Sequence, residues 1–185
     1  QGEVFLRPAQ RVLGQIDQIP AAVASLEKSP AGTVRVGLPQ TTAAHYALLL
    51  TDAVRNRYPA VRLELFDEIS SHIPGWLDRG RFDIGVIIND EDAVLLDAQV
   101  LLEEQLYLVS HRDQALAESC VPPALLARLP LSIPSTGLGV RPLVDAFLAH
   151  AGLALDEPPV LANSMNLMRS AMLAGRAHGV MPWAA

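Results

Sequence analysis

The sequence predicts an α/β fold. Short apolar runs of alternating character are followed by polar turns and then by amphipathic stretches, and this order occurs twice before residue 80. A third run, residues 82–88 (FDIGVII), is apolar without alternation, the pattern of a strand buried on both faces of a parallel sheet. Strand, helix, strand, helix, strand along the chain is the grammar of a parallel sheet with helical crossovers.

The first strand covers residues 33–38, where Val34, Val36 and Leu38 alternate with smaller or polar residues. Pro39 ends the run by removing a backbone donor, and a helix starts behind it. Gln40, Thr41 and Thr42 fall in the first turn, where orphan N–H groups and hydroxyls converge on a spot suited to an anion. Thr41 or Thr42 as a simple N-cap is the competing reading. Residues 61–66 (VRLELF) form the second strand. The polar cluster Asp67, Glu68, Ser70, Ser71 follows, then a short helix through Trp76 and Leu77 that Gly80 closes. Open α/β sheets hold ligands outside the carboxyl ends of their strands, which is where these turns lie.

Before this sheet, Phe5, Ala9, Val12, Ile16, Ile19, Val23 and Leu26 recur at alternating steps of four and three, the a/d spacing of a coiled-coil seam. Arg7, Arg11, Asp17 and Glu27 stay off the seam. So narrow an apolar stripe calls for a partner helix. Pro20 opposes a continuous helix at a cost of about 3 kcal/mol, so a bend near Ile19 or two shorter helices are expected.

The second half repeats the pattern. Residues 106–110 (LYLVS) read as a strand, residues 125–129 as a short helix and residues 131–133 as a brief strand. Pro134, Ser135, Thr136 and Gly137 form a turn before a helix over residues 140–150, placing hydroxyls and glycine-freed amides at a helix start. Residues 160–162 form another strand into Asn163, Ser164 and Met165, which open a helix through Leu173. GLGVRP is not a dinucleotide fingerprint, because it ends in proline and no acidic ribose reader follows.

The segments GTVRVGLPQTTA, YPAVRLELFDEISSHIPGWLDRGRFDIGVI and EEQLYLVSHRD together resemble the effector-binding region of a LysR-type transcriptional regulator, from Gly32 to the C-terminus. LPQTTAAH and the acidic loop after the third strand resemble the nitrogen-assimilation-control branch most. The resemblance implies a two-lobe fold similar to type 2 periplasmic-binding proteins, with a ligand cleft between the lobes. It divides the chain into a linker and dimerisation helix, residues 1–31, lobe I, residues 32–105, and lobe II, residues 106–185. It also implies assembly as a homodimer or homotetramer, and DNA binding through an N-terminal domain that would precede Gln1. After HGVMPW the family continues for several elements that return to lobe I, so the C-terminus reads as incomplete and apolar surface of that lobe as uncovered.

Composition fits such a region. Hydrophobic residues make up 50% of the chain, enough for a sizeable core in 185 residues. The single cysteine, Cys120, cannot form an internal disulfide, which suits a reducing, cytoplasmic setting. Neither end reads as a signal peptide, and no apolar run approaches the roughly 20 residues that span a bilayer, so no membrane association is expected. With 20 acidic against 14 basic residues, a net charge of −6 disfavours phosphate neutralisation, so this region itself should not hold DNA.

Other chemistry is weak. Residues 25–28 spell SxxK, without the companion motifs of penicillin-binding enzymes. His45, His72, His111, His150 and His178 are scattered, with no pair at metal-ligand spacing. His72 near Asp67 and Glu68 reads better as a solvated histidine than as an acid/base group. Asp90, Glu91 and Asp92 read better as a solvated loop than as a cation site. No nucleophile motif, metal or cofactor is indicated.

Three functions remain. A non-enzymatic ligand-sensing and dimerising module of a transcription factor is favoured. A transport-type solute-binding protein is opposed by the N-terminal heptads and the missing signal peptide, and an upstream helix-turn-helix would decide between the two. An enzyme such as a dehydratase on a related fold lacks a convergent acid/base pair. The expected effector residues are Gln40, Thr41, Thr42, Ser70, Ser71 and Asn89 from the first lobe, with Ser135, Thr136, Asn163 and Ser164 from the second. They offer many donors and few charges, so a small polar ligand carrying a carboxylate or similar anion is expected, with Thr42 and Thr136 as leading contacts and Arg141 as the nearest cation.

Overall fold

The computed structural model describes residues 30–88, 98–116, 120–158 and 160–183. The heptad seam from Phe5 to Leu26, the SxxK run, Asn89 and the acidic run Asp90 to Asp92 lie outside the described residues. The chain divides into two compact units, Gln1–Gln99 and Val100–Ala185.

Unit 1 contains a three-stranded parallel sheet in the order β2-β1-β3. Strand β1 (Gly32–Pro39) leads directly into α1 (Gln40–Arg57), and β2 (Val61–Glu68) pairs with β1 along its full length, Gly32 opposite Val61 through Pro39 opposite Glu68. A 3-10 turn, Ser70–His72, and the short helix α2 (Ile73–Asp78) connect to β3 (Ile84–Gly85). Gly80, at φ +66°, turns the chain out of α2 in a conformation that L side chains rarely adopt.

Glycines decide how this sheet is covered. A Cβ on Gly37 would stand 2.5 Å from Cδ2 of Phe82, and one on Gly85 would stand 2.5 Å from Cγ2 of Ile73. Their absence admits the Phe82 ring and α2 onto one face, where Ile73 is fully buried and Phe82 is paired with Phe66 at 5.3 Å between centroids. Val36 and Leu38, one residue out of phase, are buried on the other face.

The third strand corrects the sequence reading. Its backbone ladder to β1 runs only from Asp83, whose N–H donates to the Arg35 carbonyl at 2.8 Å, to Val86, whose N–H donates to that of Gly37 at 2.9 Å. It is not buried on both faces, because Ile84 is 54% exposed. Ile84 pairs with Val36 from the edge of the described sheet, so it lacks the outer neighbour that an inner strand would have.

Unit 2 is built from shorter strands. Strand β4 (Leu106–Val109) is antiparallel to β7 (Gly179–Pro182), and β5 (Ser132–Ile133) is parallel to β6 (Val160–Leu161). A parallel bridge between Leu131 and His178 joins the two pairs: Ser132 N–H donates to the His178 carbonyl and His178 N–H to that of Pro130, both at 2.8 Å. Side-chain pairing adds to this seam, with Ser110 Oγ 2.7 Å from His178 Nδ1.

Among the described residues, three α-helices cover the unit: α3 (Pro123–Leu126), α4 (Arg141–His150) and α5 (Met165–Leu173). Helix α3 starts and ends earlier than the expected residues 125–129, because Pro123 sits in the first turn, where a missing N–H costs nothing. Leu131, Ile133 and Leu148 are fully buried and gather Leu126, Val144 and Val180 into one core. Each such side chain contributes about 1.5–3 kcal/mol by leaving water. A second core consists of Ala162 with Met168, Met172 and Met181, and its methionines fit around Gly179, whose missing Cβ leaves room for Met172.

Candidate functional site: uncapped helix starts and a latched pair of turns

Helix α1 begins on Pro39 as its N-cap residue, and no side chain caps it by a hydrogen bond. Proline brings neither the hydroxyl nor the carboxylate that would normally accept an orphan N–H. Gln40, Thr41 and Thr42 are therefore the first three helical residues, all half-buried, and the N-cap reading of Thr41 and Thr42 is overturned. The first turn contains no acidic residue, whereas Arg55 and Arg57 occupy the last. Basic side chains thus complement the negative end of the helix dipole, while no carboxylate neutralises the positive end from within the first turn.

The same arrangement recurs in unit 2. Helix α4 starts at Arg141 behind Val140, and α5 starts at Met165 behind Ser164; neither has a side-chain cap hydrogen bond or an acidic residue in its first turn. The three helices follow the carboxyl ends of β1, β5 and β6, but α4 differs in its donors: the Arg141 N–H already donates to the Leu138 carbonyl at 3.1 Å, and Pro142 has no N–H.

The other expected residues have distinct places. Ser70 is 7% exposed, and its Oγ accepts the Ile88 N–H at 2.8 Å, so it ties the turn after β2 to the segment after β3. Ser71 is exposed beside it. Ser135 and Asn163 come together: the Ser135 N–H donates to Asn163 Oδ1 at 2.8 Å, and Asn163 Nδ2 donates to Ser135 Oγ at 3.1 Å. Thr136 is exposed in the same turn, which does not lie at the start of α4 as expected, because the chain turns again through Leu138 and Gly139 before the helix begins at Arg141; Ser164 is half-buried at the start of α5.

Arg141 does not offer a spare charge. Its Nε is 2.7 Å from Asp145 Oδ1 one helical turn on, and its side chain is only 13% exposed. His72 lies 4.0 Å from Glu68 with about half of its side chain exposed, a loose pair consistent with a solvated histidine. Among the described residues no group of three His, Cys, Asp or Glu side chains could hold a metal ion, and no helix is long and apolar enough to cross a membrane.

Sequence reasoning missed the structural job of Ser70 and the pairing of Ser135 with Asn163. A signal for the second existed: each lies two residues beyond the register pair Ile133 and Leu161.

The model of the LysR substrate binding domain family matches residues 27–185. The chain belongs to that family. It is 30% identical over 153 residues to an uncharacterized HTH-type transcriptional regulator, YfeR, of Shigella flexneri, covering 82% of this chain and 50% of that protein. It is 31% identical over 113 residues to the nitrogen assimilation regulatory protein nac of Klebsiella aerogenes, covering 60% of this chain and 37% of that protein. Among solved structures, HinK, a LysR family transcriptional regulator from Pseudomonas aeruginosa, superposes with a TM-score of 0.66 at 18% identity, over 98% of this chain and 61% of that one, a likeness of fold. The chain spans about half the length of the curated relatives it matches.

Proposed function

We propose that this chain is the effector-sensing and oligomerisation region of a LysR-type DNA-binding transcriptional regulator, without enzymatic activity, working in the cytoplasm. In this reading residues 1–31 are a linker helix that pairs between copies in a dimer or tetramer. Residues 32–105 and 106–185 are effector-binding lobes, and DNA is read by a domain outside this chain. The relatives named as HTH-type regulators support it.

The observation that carries the effector reading is the start of α1, where Pro39 supplies no side-chain cap and the first turn contains no acidic residue. Orphan N–H groups at a helix start favour an anion, and hydrogen bonds to a charged group contribute about 1.5–3 kcal/mol each. A small carboxylate is the ligand class these donors favour, with Thr41 and Thr42 as the donors proposed in unit 1 and Ser135 and Thr136 as those proposed in unit 2.

Calorimetry on a panel of small mono- and dicarboxylates, with uncharged and cationic analogues as controls, tests this. A carboxylate that binds the wild type is expected to lose at least tenfold in affinity to the Thr42→Ala/Thr136→Ala double variant, which is expected to fold normally. Equal affinity in the two proteins would place the site elsewhere.

A further inference from the structure

Strands β5 and β6 run in parallel register with Ser132 opposite Val160 and Ile133 opposite Leu161, and the last backbone rung runs from Ala162 N–H to the Ile133 carbonyl at 3.0 Å. Continuing that ladder would send the Ser135 N–H to the carbonyl of Ala162. It goes instead to the side-chain oxygen of Asn163, at 2.8 Å. The rung is thus completed by a group that can swing away about its side-chain torsions without breaking either strand. The contact is solvent-exposed, so it can open without disturbing the core.

What the Asn163 carboxamide presents to Ser135 is chemically close to half a carboxylate: an sp² oxygen accepting a backbone N–H. Its Nδ2 group meanwhile engages Ser135 Oγ, so both polar groups that Ser135 could turn toward an anion are in contact with one side chain. Resting on the effector reading above, we propose that Asn163 is a built-in competitor of the effector, a neutral stand-in that occupies the Ser135 amide and is displaced when the effector's oxyanion takes the same donor. Asn163 then sets the affinity of this half of the site rather than adding a contact to the ligand. A resident acceptor keeps the N–H satisfied in the empty protein, and its displacement is the step through which binding would loosen the turn from Asn163 and the start of α5.

The test is a titration of the isotope-labelled 185-residue chain with inorganic sulfate at constant ionic strength, following the Ser135 amide by NMR. Sulfate is expected to shift that resonance in the wild type. Asn163→Ala, which removes the competitor, should tighten binding about three- to tenfold, the yield of one neutral hydrogen bond no longer displaced. Asn163→Asp keeps the shape but adds a fixed negative charge, and should weaken binding below wild type. Amide resonances away from residues 134–140 and 162–165 report whether each variant keeps its fold; the near-isosteric Asn163→Asp keeps the question open to measurement if the alanine variant does not. Equal or weaker sulfate binding in Asn163→Ala than in wild type would overturn the proposal, as would an unchanged or tighter affinity in Asn163→Asp. No sulfate response at Ser135 in any of the proteins would overturn it too. A flat Asn163 series alongside carboxylate binding that still depends on Thr42 and Thr136 would remove only the competition, whereas unchanged carboxylate affinity in the threonine double variant would remove the effector reading itself.

Discussion

Units 1 and 2 combine backbone regularity and core burial in different proportions. Unit 1 has the more regular backbone, with eight residues of β1 paired in unbroken register to β2 and an 18-residue helix behind them. Yet that helix buries no residue, and Leu48 and Leu49 stand 80% and 61% exposed on it. Unit 2 has two-residue strands at β5 and β6, but Leu131, Ile133 and Leu148 lose all contact with water. Hydrogen-bonded regularity and core burial are separate quantities, and burial is what makes a side chain expensive to remove.

That contrast can be broken most directly by truncating one leucine in each unit. Leu148→Ala is expected to destabilise unit 2 by about 2–5 kcal/mol, whereas Leu48→Ala should change unit 1 by no more than about 0.5 kcal/mol. Trp76 lies in unit 1 and Trp183 in unit 2, so urea unfolding of single-tryptophan variants reads the two units separately. Similar costs for the two substitutions would mean that α1 is buried in solution.

The packing that unit 1 does have should be sensitive at its glycines. Gly37→Ala would drive a methyl group against the buried Phe82 ring, with an expected loss of about 1–3 kcal/mol in the same unfolding measurement. A neutral result would show that the ring can move aside.

Ser70→Ala sharpens the comparison at the polar turns. Ser70 Oγ is a structural acceptor, so its loss leaves the half-buried Ile88 N–H without that partner and should cost about 1–2 kcal/mol. Hydrogen exchange at Ile88 should speed up accordingly, and unchanged protection there would show another acceptor taking over. A stability effect as small as that of Leu48→Ala is expected for the Thr42→Ala/Thr136→Ala double variant, within about 0.5 kcal/mol of wild type. Neither threonine is an N-cap, so a loss above 1 kcal/mol would mean that the hydroxyls serve the fold.

The candidate site was legible in the sequence to differing depths. Gln40, Thr41 and Thr42 could be placed at a helix start because Pro39 marks the boundary, and Ser164 because a strand pattern gives way to a helical one behind it. Their chemical character as neutral donors was readable for the same reason. What each donor already holds was not. Ser70 is 18 residues from the N–H it accepts, and Asn163 is 28 residues from Ser135. Arg141 looked like a free cation until its position on the helix set it against Asp145.

By itself, then, the sequence did not mark β7 as a strand, but it determined the α/β class, the order of strands and helices as far as α5, and the residue types at the strand ends. These follow from alternation, periodicity and proline or glycine punctuation, which act over a few residues. Tertiary structure alone decided that β7 closes back on β4, that Ile84 stays exposed while Phe82 is buried, and that Asn163 takes the rung beyond β5. Those outcomes depend on which distant backbone groups and faces meet, and pairing across tens of residues is set by the packing of the whole unit rather than by local preference.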